Sequence, residues 1–74
     1  MKLVTLTKQN SSTGGWDETS VDLNKLVYMT ERSYFFEFTY PHRKKENRDV
    51  TELRLGDNIC IYVRETANQI REML

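Results

Sequence analysis

One cysteine, one proline, one histidine and three glycines are all that 74 residues contain of those types, and each scarcity removes a class of protein. A lone Cys60 can form no internal disulfide and no thiolate metal cage within one chain, which excludes a bridge-stapled scaffold and a zinc module. Uninterrupted apolar runs fall far short of the roughly 20 residues a spanning helix requires, so no membrane segment is expected. The first eight residues alternate instead of forming an apolar run before a small-residue cleavage site, so no leader is read and the cytoplasm is the expected compartment. Net charge is absent as well, with 11 Lys+Arg against 11 Asp+Glu, and so is the broad basic excess typical of nucleic-acid-binding domains.

The single histidine matters most for chemistry. Nucleophilic catalysis needs a hydroxyl or thiol beside a base, and the only conventional neutral-pH base, His42, lies in a charged polar stretch, so no catalytic residue is assigned. No His, Cys or carboxylate set has metal-ligand spacing, and Gly14-Gly15 precedes Trp16-Asp17 instead of a helix with a lysine, so neither metal nor phosphate-bearing cofactor is expected. A small-molecule substrate has no residue to speak for it.

What is present suffices for one small domain over residues 1–74: 38% apolar, 11% aromatic and 30% charged, away from compositions that stay disordered. A core this small is marginal, which favours association with a protein partner or with itself as a homodimer. Residues 2 to 8 alternate with the two-residue period of a strand. The turn-rich stretch from Gln9 to Gly15 reads as a mobile loop. Alternation returns at Val21 and Leu23, breaks at Asn24-Lys25, and resumes from Leu26 to Met29 as one bent strand or two short ones. From 33 to 40 the face Tyr34, Phe36, Phe38, Tyr40 opposes Phe35, Glu37, Thr39, where β-propensity and alternation agree. Pro41 ends that strand, and 42 to 49 reads as the charged tip of a hairpin. Thr51, Leu53 and Leu55 line a returning strand, Gly56-Asp57-Asn58 supplies a tight turn, and Ile59, Ile61 and Val63 line a last strand in which Cys60 is a buried or half-buried small residue.

At Thr66 the period changes. Thr66-Ala67-Asn68-Gln69 matches a capping box, and Ala67, Ile70, Met73 and Leu74 give an apolar stripe on a helix too short to stand alone. The predicted architecture is therefore α+β: a small curved antiparallel sheet of about five strands in a meander, with a short C-terminal helix packed on it over the Tyr34-to-Tyr40 row.

Two patches are candidates for function. Arg43, Lys44, Lys45 and Arg48 against Glu46 give residues 42 to 48 a charge of +3 and leave the rest at −3. These cations, with Tyr40 and His42 beside them, could meet phosphates, or they could simply keep a hydrophobic hairpin soluble and block edge pairing. Trp16, after the glycine pair, reads either as an exposed interface anchor or as a ring folded back onto the sheet. The expected function is a non-enzymatic interaction module binding a protein partner or itself, with nucleic-acid binding through the basic hairpin as the alternative.

Two family patterns share this order of features. Val21-Asp22-Leu23-Asn24-Lys25-Leu26, an aromatic strand, Gly56 in a turn and Ile61-Tyr62-Val63-Arg64-Glu65-Thr66 running into a helix resemble the small FlbD-like (SwrD-like) flagellar proteins, which implies a flagellar role. Leu26-Val27-Tyr28-Met29-Thr30-Glu31, Tyr34 and the Arg-Glu-Thr helix start also resemble part of a LytTR-type DNA-binding domain, which implies a β-rich fold that reads DNA through loops.

Overall fold

The computed structural model describes residues 2–56 and 58–74. Asp57 lies outside them, so the expected Gly56-Asp57-Asn58 turn is described only at its flanks, where Asn58 takes φ 63°. Strands β1 (Leu3–Gln9), β2 (Trp16–Asp22), β3 (Leu26–Phe38), β4 (Lys44–Leu55) and β5 (Ile59–Val63) precede helix α1 (Ala67–Glu72). They form one open antiparallel sheet in the order β2-β1-β5-β4-β3, mostly β with a single short helix, so that the α+β label fits loosely.

The expected meander holds only for β3-β4-β5. β1 returns to pair with β5, through the single ladder pair Lys8↔Val63 and the Arg64 amide, which donates to the Thr7 carbonyl at 2.9 Å. Beyond that point the Glu65 carboxylate substitutes for a strand, accepting from the Thr7 amide at 2.9 and 3.1 Å and from its hydroxyl at 2.8 Å. β2 and β3 are consecutive in the chain yet occupy opposite edges, joined by one 3-10 turn, Leu23–Lys25. So short a link forces the sheet to curl until both edges converge on it. The Asp22 carboxylate accepts from the Asn24 amide at 3.0 Å and starts the turn. Buried Leu23 anchors it, and its amide donates to the Lys2 carbonyl at 2.9 Å.

The core gathers Leu6, Val21, Leu23, Leu53, Ile61, Val63 and Ile70. Residues directly opposite in an antiparallel ladder share a face. Met29↔Leu53 and Leu53↔Ile61 therefore point into this core, whereas Tyr34, Phe36 and Phe38, opposite Arg48, Glu46 and Lys44, point the other way. The helix sends Ala67 and Ile70 into the core, so it covers the side opposite the aromatic row, not the row itself. Its docking is fixed by polar partners on the core side: Glu31 Oε1 accepts from the Ala67 amide at 2.7 Å, and the Thr51 hydroxyl donates to the Glu65 carbonyl at 2.6 Å. The capping box forms as the sequence predicts, with the Gln69 amide donating to Thr66 Oγ1 at 3.2 Å and the Thr66 amide to Gln69 Oε1 at 2.8 Å.

Three further expectations are corrected. The charged stretch is largely strand: Lys44 to Asp49 belong to β4, and the hairpin tip shrinks to residues 39–43. Long charged side chains lay their aliphatic stems over rings, so charge alone does not mark a loop. The glycine loop is tied down, because Asn10 Oδ1 accepts from the Ser12 and Thr13 amides at 2.8 and 3.1 Å, and the Ser12 carbonyl accepts from Thr39 and Tyr40 at 2.9 and 3.0 Å. Gly14 sits there at φ 76°, so close to Phe38 that a Cβ would stand 2.9 Å from the ring. Cys60 is exposed rather than half-buried, because its face is the one the helix leaves uncovered.

Candidate functional site

The face turned away from the helix carries the candidate site, and alternation puts it there. Even-numbered residues of β3 from Tyr28 onward and of β4, with Cys60 and Tyr62 of β5, share that side. Tyr34 and Phe36 meet the Tyr62 ring edge-on, at centroid distances of 5.4 and 5.3 Å and interplanar angles of 71° and 72°. Phe36 in turn stacks on Phe38 at 6.0 Å. Offset and edge-to-face contacts of this kind add to the burial of the rings. Tyr34, Phe36 and Tyr62 remain half-buried, while Phe38 is 1% exposed.

A carboxylate lies among these rings. Glu52 is 5% exposed and accepts from the Tyr28 and Tyr34 hydroxyls, both at 2.5 Å. Those two donors hold its carboxyl below the ordinary range, and Arg32 and Arg54 nearby act in the same direction. Both phenols are pushed above their ordinary value, since ionising either would break its bond to the carboxylate. Burial pushes Tyr62 up as well.

The basic residues separate into two groups. Arg48 turns inward: its guanidinium lies 4.7 Å from the Phe38 ring centroid and 5.2 Å from that of Trp16. Its Nη1 donates to the Gly14 carbonyl at 2.6 Å and to Gln9 Oε1 at 3.3 Å, and its Nε to Glu46. With 15% of the side chain exposed, Arg48 is the pin that fastens the β1–β2 loop over the end of the aromatic row. That contact also draws in Trp16, which is half-buried at the start of β2. The Glu46 carboxyl is held below its ordinary range chiefly by Arg48. Lys44 pairs with Glu46 and Lys45 with Glu37, each at 3.7 Å. Tyr40, His42 and Arg43 stand exposed at the tip, Tyr40 at 67%. The structure thus brings Tyr40, His42, Arg43, Lys44 and Lys45 to one end of the hairpin and separates Arg48 from them. Carrying the two-residue period of β4 back from Thr51 through Lys44 would have placed Arg48 on the face turned away from Thr51 and Leu53.

Between the β1–β2 hairpin and the aromatic face lies a cleft of about 700 Å³, lined by Phe36, Phe38 and Tyr62 together with Lys8, Asp17, Glu18 and Glu37. A smaller hollow of about 330 Å³ near the helix start is lined by Glu31, Arg32, Ser33, Asp49, Arg64 and Thr66, with the Ser33 hydroxyl donating to Asp49. Among the described residues no three His, Cys, Asp or Glu side chains converge on a metal-sized site, and no helix is long and apolar enough to cross a membrane. No family model, no curated protein and no solved structure matches the chain.

Proposed function

We propose that this chain is a non-enzymatic interaction module, working in the cytoplasm, that binds a protein on the aromatic side of its sheet. One observation carries the reading: the half-buried rings of Phe36 and Tyr62, on the side of the sheet away from the helix, line a cleft of about 700 Å³. Aromatic rings of this kind form the desolvated centres of protein interfaces. The helix covers the core on the other side, so Tyr34, Phe36 and Tyr62 stay half-buried.

The test replaces Phe36 or Tyr62 with Lys and compares each variant with the parent chain. Immobilised parent protein is expected to retain a protein from a lysate of its source that neither folded variant retains. Retention unaffected by both substitutions overturns the reading.

A second reading, nucleic-acid binding, draws on the exposed Tyr40, His42 and Arg43 at the tip. It is the weaker one, because Arg48 is enclosed and Lys44 and Lys45 already face carboxylates. Affinity for mixed-sequence DNA or RNA that falls with salt, and disappears when Arg43, Lys44 and Lys45 become Ser, would put this reading first.

A further inference from the structure

We infer that the cleft receives the basic hairpin tip of a second copy of this chain, giving a two-fold dimer. The inference rests on the interaction-module reading and names its partner.

Charge is the first argument. The cleft lining carries Asp17, Glu18 and Glu37 against Lys8, and the tip with the start of β4 carries Arg43, Lys44 and Lys45 beside His42. The two patches are of opposite sign and complement each other.

Position is the second. The tip stands beside the cleft without entering it: Lys45 Nζ is 3.7 Å from Glu37 Oε2 and Lys44 Nζ lies 5.9 Å from the Phe38 centroid, yet no residue from 40 to 45 lines the cleft. A two-fold interface requires that if patch i touches patch j, then j touches i, and adjacent patches of opposite charge meet that condition. Placed in the partner's cleft, the Arg43 guanidinium would face Phe36 and Tyr62 rings with carboxylates at the rim, combining cation–π attraction with ion pairing. Tyr40, 67% exposed, supplies the apolar ring that such an anchor needs. The Lys45–Glu37 pair is about half exposed at both ends, so exchanging it for an intermolecular pair costs little.

Sedimentation velocity from micromolar to millimolar concentration, at low and high salt, tests this on the full chain. The parent is expected to dimerise at low salt and to dissociate as salt rises. Two charge-reversed variants, Arg43→Glu with Lys44→Glu, and Asp17→Lys with Glu18→Lys, are each expected to raise the dimer Kd at least tenfold. Mixed in equal amounts, they are expected to associate again as a heterodimer. Circular dichroism establishes that each is folded, and Glu18→Lys alone serves if the double cleft variant is not. A parent chain monomeric throughout, a dimer indifferent to both reversals, or a mixture of folded variants that stays monomeric overturns the inference. Should the parent be monomeric while Phe36→Lys still abolishes capture of another protein, self-docking falls and the interaction-module reading stands.

Discussion

Glu52 shows how strongly one side chain depends on its neighbours. Its carboxyl is held below the ordinary value of 4.5 by the Tyr28 and Tyr34 hydroxyls, and both phenols are held above 10.0. A folded-state value depressed for an acid means stability that is full above the unfolded value and drains away as pH falls through the folded one. A value raised for the phenols means stability present below the unfolded value and lost as pH climbs past it. Glu52→Gln is therefore expected to lower Tm at neutral pH and to flatten both limbs, below about pH 4.5 and above about pH 10; a series of thermal melts across pH reads this out. Arg48 gives the second prediction. Removing its contacts to Trp16, Phe38 and the Gly14 carbonyl by Arg48→Ala is expected to cost about 2–3 kcal/mol in urea unfolding. Arg48→Lys should restore little of it, since an ammonium lacks the planar fork. Were Arg48 a phosphate contact instead, either change would leave stability within a few tenths of a kcal/mol.

The helix and the loops belong to the next scale. α1 has six residues, too few to persist without tertiary contacts, so its stability is that of its cap and its core contacts. Thr66→Ala is expected to cost about 1 kcal/mol through the lost cap. Ile70→Ala, at a fully buried position, is expected to cost about 2–5 kcal/mol. Denaturant melts of the two, compared with a neutral change at exposed Glu72, separate cap from core. The capping box was readable in advance because every atom it uses lies within four residues. Which side of the sheet the helix would choose was not, because that depends on contacts such as Glu31 to Ala67, 36 residues apart.

For the molecule as a whole, the seam between β1 and β5 decides cooperativity. With one ladder pair and a carboxylate standing in for the rest, the β1–β2 hairpin is joined to the other three strands through few backbone bonds and much apolar packing. Glu65→Ala is expected to raise amide exchange at Thr7 by at least tenfold while β3–β4 amides keep their protection, a pattern measurable by NMR; uniform loss across the sheet would mean that the seam carries global stability. The sequence alone specified what short range can specify: alternating side chains wrote the strands, Thr66 and Gln69 wrote the helix start, and a single Cys excluded an internal disulfide. Pairing of β1 with β5, the enclosure of Arg48 by Trp16 and Phe38, and the uncovered aromatic cleft emerged on folding. Each of these brings together residues far apart in the chain, and the free energy that selects them comes from burial and charge pairing that no local pattern encodes.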